Sequence, residues 1–287
     1  MRFRSLVSVF LRRRQLWLPT LWGCALLVIA ATFATVALAR LANGWLAPNL
    51  PAAGPGGRGA RTLVIEGWME TTDLDQAVQA FRRGHYERVV TTGGPLDSWP
   101  EEHAWSNFAE LAASYLRRHG LDNVVLVAVP APASAQDRTY LSAVMVRDWA
   151  RQTGTVLGSV DVFSAGVHAR RSRLLYRMAL GPDVEVGVLA ARPQMFDAER
   201  WWTTSAGVKS VIGETLSLGW TVCCFWPPTA GSSEERWGRR PLSLSLPSPV
   251  PVRGSKPEPP KILWRVRSYA VPLGACVSAR LANFSVF

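Results

Sequence analysis

Between Leu16 and Ala39 the chain runs for 24 residues without a charged side chain. A helix of about 20 apolar residues crosses the hydrocarbon core of a bilayer, satisfying its own backbone hydrogen bonds on the way. The run is therefore long enough to span, and whatever folds after it is tethered. Arg2, Arg4, Arg12, Arg13 and Arg14 precede it, whereas beyond Arg40 the next basic groups are Arg58 and Arg61. The positive-inside rule then predicts a cytoplasmic segment over 1–15, an anchor over 16–39 in the inner (plasma) membrane and an extracytoplasmic remainder. Trp17, Trp22 and Trp45 fit the interfacial belts at the two ends of such a span. A cleavable signal peptide competes, because Ala37-Leu38-Ala39 has the small-x-small form, but signal cores of about 7–15 residues are shorter than this run. Both readings export the domain.

The chain's net charge of +11 would by itself point to nucleic acid. Its distribution removes that class. Residues 1–40 carry +6, residues 41–226 carry −1 and residues 227–287 carry +6. A nucleic-acid interface needs its basic charge on the folded surface, and here the middle is nearly neutral. The four cysteines, Cys24, Cys223, Cys224 and Cys276, form no metal-ligand spacing with one another or with the four histidines, so no metal is expected. Cys24, Cys223 and Cys224 lie in apolar segments, which predicts buried thiols.

Residues 40–61 are rich in Pro and Gly and read as a linker. Beyond it, short apolar runs at 63–66, 88–94, 123–130, 160–166 and 184–191 alternate with stretches of helical spacing, and a last helix is expected over about 204–219. Continuous apolar strands alternating with amphipathic helices predict a Rossmann-like α/β domain over 62–226, a mostly parallel sheet of about five strands covered on both faces. Residues 227–287 lose the packing pattern and read as a disordered tail.

In such sheets ligands bind at the carboxyl ends of the strands. Those ends bring Glu66, the pair Gly93 and Gly94, the segment Asp137-Arg138-Thr139, and Ser164 leading to His168. A glycine pair permits a turn suited to an anion, and equally a plain turn. His168 and Arg171, three apart on one helix face, predict a cationic or proton-donating pair. Asp137 is either a helix cap or a carboxylate partner. No GxSxG, GxxxxGK[ST], HExxH or GxGxxG pattern is present.

The segments LVIEGWM, TTGGP, DRTYLSA and SAGVHARRS occur in an order and spacing that resemble the YdcF-like (SanA/ElyC) family over roughly residues 62–220. Within that resemblance His168, Arg171, Gly93, Gly94 and Thr139 match the family's pattern, with Ser164 in place of a Thr. Arg138, Leu141 and Ser142 depart from it, and Glu66 stands where the family usually has Gly. The resemblance implies a Rossmann-like domain in cell-envelope biogenesis, and one member is thought to bind S-adenosylmethionine.

The reading that results is a membrane-anchored envelope protein that binds a phosphate- or pyrophosphate-bearing ligand, a lipid-linked form among the options. The ligand would contact Gly93, Gly94, Arg138, Thr139, Ser164 and Arg171, and His168 would act as acid or base with Asp137 or Glu66. A non-catalytic scaffold and an S-adenosylmethionine- or nucleotide-binding enzyme are the alternatives. No cofactor is specified, and nucleic acid is not an expected partner.

Overall fold

The computed structural model describes residues 20–54, 60–96, 105–134 and 137–237. The expectations for 1–15, for the first part of the anchor at 16–19, for 55–59 within the linker and for 238–287 lie outside the described residues. The elements run α1 (Leu21–Leu46), β1 (Thr62–Glu66), α2 (Thr71–Arg83), β2 (Arg88–Gly93), α3 (Phe108–Arg118), β3 (Val125–Pro130), α4 (Arg138–Thr153), β4 (Ser159–Ser164), a 3-10 turn (Gly166–His168), α5 (Ala169–Leu180), β5 (Glu185–Ala190), a second 3-10 turn (Trp201–Thr203), α6 (Ser205–Cys224) and α7 (Ser233–Trp237).

The five strands form one sheet in the order β3-β2-β1-β4-β5, with every neighbouring pair parallel. This is the Rossmann-like α/β fold that the apolar runs predict. Strand residues alternate between two cores. Leu63, Ile65, Val89 and Phe163 face Leu74, Ala77, Ala112 and Leu116 of α2 and α3. Val64, Val90, Val162 and Val188 face Val144, Leu175 and Tyr176 of α4 and α5. All five residues of β1 are buried, and each apolar side chain so covered contributes about 1.5–3 kcal/mol. The order reverses between β1 and β4, so the crevice expected of this topology opens at Glu66 and Ser164.

α1 is long and apolar enough to cross a membrane, and none of its apolar window is buried in the domain. It also runs past the uncharged stretch into the domain. Leu46, Ala42 and Ala39 pack with Val167, Trp201 and Val211, and the Trp201 indole donates to the Ala39 carbonyl at 2.7 Å. The residues that follow are docked on the sheet rather than free as a spacer. Leu50 makes an antiparallel bridge to Val188, Ala52 N donates to buried Asp161 at 2.7 Å, and Ala53 and Gly54 donate to the Glu185 carboxylate, each at 2.9 Å. Gly187 is required for that approach, since a side chain there would collide with the Asp161 carboxylate and Ala52 N.

The chain also stays packed beyond residue 226. In α7, Glu235 is 3% exposed, and Arg147 of α4 grips both its oxygens, Nη1 to Oε1 at 2.7 Å and Nη2 to Oε2 at 2.8 Å. The buried thiols are a further correction. Cys223 and Cys224 end α6, exposed and bonded to each other, and Cys24 is exposed on α1. They stand at outward positions on their helices, although the apolar segments around them place them inside.

Candidate functional site

Gly166, with φ +34°, turns the chain at the end of β4 and lets the 3-10 turn hand over to α5 at His168. His168 is 9% exposed. Its Nδ1 lies 3.0 Å from Glu214 Oε1 and its Nε2 lies 3.3 Å from the Thr139 hydroxyl. Trp68, from the turn after β1, sets its ring edge-on to the imidazole at a centroid distance of 5.1 Å. Thr139 sits in the first turn of α4, so the positive ends of α4 and α5 meet at this imidazole.

Arg171 donates to Glu214 through Nε at 2.9 Å and Nη2 at 3.0 Å. Burial alone would raise the Glu214 carboxyl, but hydrogen bonds and charge from His168 and Arg171 outweigh it and hold the pKa at about 2. Arg171 Nη2 also comes within 2.9 Å of His168 Nδ1, so Nδ1 cannot both donate to Glu214 and accept from Arg171. The carboxylate is the stronger acceptor, and Arg171 is already satisfied on it. Nδ1–H therefore points to Glu214, and Nε2 faces Thr139, where it carries a lone pair whenever the imidazole is neutral.

Glu66 lies one step deeper. Its carboxylate is 1% exposed and accepts from Ser164 Oγ at 2.6 Å and Ser172 Oγ at 2.9 Å. Beside it Tyr176, wholly buried, lies 3.3 Å from the Thr92 hydroxyl, and burial followed by the Glu66 charge pushes its phenol well above the ordinary range. Glu66 thus ties β1 to β4 and to the first turns of α5, which fixes where His168 stands. At that depth the carboxylate is closed off from solvent, with both oxygens engaged by hydroxyls.

The other sequence-predicted positions are less concentrated. Gly93 is needed for packing, since a Cβ there would lie 2.6 Å from Phe108 Cβ, whereas Gly94 has open space. Their carbonyls accept from Ala131 N and Phe108 N, both at 2.9 Å. Asp137 takes the left-handed conformation at φ 52° and makes no side-chain cap to α4. It and Arg138 are exposed. Arg171 is brought to His168, with its charge matched by Glu214 rather than presented bare.

Sequence reasoning missed Glu214, Ser172 and Trp68. The signal for Glu214 is present, since it is the one charge between Ser210 and Phe225. A further carboxyl on this edge is Asp73 in the first turn of α2, which burial and then the Glu70 charge raise to about 6.

Chemically, a carboxylate-oriented imidazole facing a hydroxyl at two helix N-termini can move a proton to or from an oxygen and can favour an anion there. No protein-family model matches the chain, and no curated protein is found similar to it. The likeness to the YdcF-like family accordingly rests on the four motifs alone.

Proposed function

We propose that this is a membrane-anchored protein of cell-envelope biogenesis that binds a phosphate- or pyrophosphate-bearing ligand, lipid-linked in its native form, at the carboxyl edge of the sheet. α1 is the anchor, with its N-terminus cytoplasmic and the domain outside. The observation that carries the reading is the Glu214–His168–Thr139 relay at the joint N-termini of α4 and α5. Those helix ends favour negative charge, Arg138 supplies an exposed cation beside Thr139, and His168 Nε2 is the group placed to exchange a proton with a ligand oxygen. Arg171 acts through Glu214, holding the carboxylate that orients the imidazole.

The test uses the full chain in nanodiscs and inorganic pyrophosphate. At about 100 times its dissociation constant a ligand adds about 2.7 kcal/mol to stability, a rise in the unfolding midpoint that His168→Ala and Arg138→Ala should each diminish. A midpoint that rises equally in the wild type and both variants would place binding elsewhere.

A further inference from the structure

The direction in which the anchor meets the sheet fixes which face of the domain looks at the membrane. Leu46, at the end of α1, packs on Val167 and Trp201, both beyond the carboxyl ends of strands. Asn49 then accepts from the nitrogen of Ala190, the last residue of β5. Leu50 pairs with Val188, and Ala53 and Gly54 reach Glu185, where β5 begins. The incoming chain descends β5 from its carboxyl end to its amino end, so α1 arrives from the side on which the strands end.

Exposed apolar surface collects on that same side. Trp45, Trp68, Trp105, Trp202, Trp220 and Trp226 are all more than a third exposed, and each lies at the end of α1, in a loop following a strand, or on or just after α6. α6 passes Trp201 at its start, where Gly207 lies against the Trp201 backbone, and His168 at its middle, and Phe225, just beyond its end, packs on Tyr140 in the first turn of α4. Along its outward face Ile212, Leu216 and Trp220 recur every four residues at 48%, 69% and 52% exposure. Beside them Arg171, Ser217 and Thr221 join Leu216 and Trp220 around an open depression of about 340 Å³. At the opposite edge of the sheet, among the described residues, the exposed large apolar side chains are Val125 and Val156.

We propose that the carboxyl edge of the sheet lies on the bilayer that α1 enters, with the outer face of α6 and the tryptophan rim seated in the headgroup layer. The inference rests on the reading of α1 as a membrane span. Indole rings favour the headgroup layer, where the ring is apolar and the N–H stays wet. The patch is continuous with α1 through Trp201, Ala39 and the Arg170–Trp45 stack at 4.4 Å, so the bilayer reaches it without a further partner. Seated in this way, the His168 relay opens toward the headgroups, and a lipid-linked phosphate reaches it from the membrane rather than from bulk water.

The test places one spin label at a time in the full chain, with its native cysteines replaced by serine, reconstituted in phosphatidylethanolamine–phosphatidylglycerol vesicles. The labelled variants are Phe33→Cys on α1, Leu216→Cys on α6, Met195→Cys in the loop beyond the carboxyl end of β5, where Met195 is 70% exposed, and Val156→Cys at the opposite edge. The expected result is oxygen accessibility at 33, loss of nickel-chelate accessibility at 216 and 195 relative to 156, and full nickel accessibility at 156. Equal nickel accessibility at 195, 216 and 156, with 33 still in hydrocarbon, overturns the docking and leaves the anchor intact. Water exposure at 33 as well overturns the anchor itself. Spin–spin broadening at 216 that grows with the protein-to-lipid ratio assigns the face to a second copy of the chain and also overturns the proposal.

Discussion

Replacing Glu235 by alanine is expected to lower the unfolding free energy by about 3 kcal/mol, the low end of what breaking a buried ion pair costs. Arg147 is 6% exposed, so water does not rescue it when Glu235 leaves. Arg147 loses two short hydrogen bonds to Glu235 but keeps Nε and Nη2 on Asp148 Oδ1, at 3.1 and 2.9 Å, which is why the upper end is not reached. The Tyr140 hydroxyl and Gly231 N lose an acceptor as well. Glu235→Gln retains the shape and one acceptor and should cost less. Urea unfolding of the detergent-solubilised chain, followed by tryptophan fluorescence, reads the difference. A change below about 1 kcal/mol, the worth of an ordinary hydrogen bond, would mean that α7 is not part of the folded unit.

Glu66→Ala is expected to cost about 2–3 kcal/mol and to disorganise the site at the same time. Two buried hydroxyls, Ser164 and Ser172, lose their acceptor, each at about 1–3 kcal/mol. Relief of burying the carboxylate and the remaining 3.2 Å contact between the two hydroxyls offset part of that. Because Ser172 lies on α5 and Ser164 ends β4, the loss loosens the segment that carries His168. The readout that separates positioning from plain destabilisation is the His168 imidazole resonance in NMR. In Glu66→Ala at low temperature, where the chain remains folded, it should shift or broaden, whereas Glu235→Ala leaves it in place. An unmoved resonance would show that Glu66 does not position the histidine.

The sheet was legible because parallel strands buried on both faces must be apolar throughout, as LVIE, VVTT and VDVF nearly are. The histidine turn was legible for a related reason, since Gly166 and His168 follow a strand and precede a helical stripe. What escaped were contacts made by backbone or by single side chains far apart in sequence. Residues 50–54 look like a spacer, yet their N–H groups dock on Asp161 and Glu185, and no local pattern encodes that pairing. The stretch after Pro227 looks unstructured because its packing depends on the Glu235–Arg147 pair, 88 residues apart. Glu214 was overlooked because an apolar helix with one carboxylate reads as core, when that carboxylate is what orients His168. α6 itself was expected to end near Gly219 and continues to Cys224, since Gly219 does not take the left-handed conformation of a cap and Thr221 packs inward.

The proposed site requires a phosphate-bearing lipid to reach the His168 relay at the carboxyl edge of the sheet. Photo-crosslinking addresses that step, using the full chain in nanodiscs and a polyprenyl phosphate carrying a diazirine next to its phosphate. The expected outcome is adducts on peptides containing Thr139 and His168, competed away by unlabelled polyprenyl phosphate and weakened by Arg138→Ala. Adducts confined to the Leu21–Leu46 helix, or found on the Val125 and Val156 edge, would contradict it.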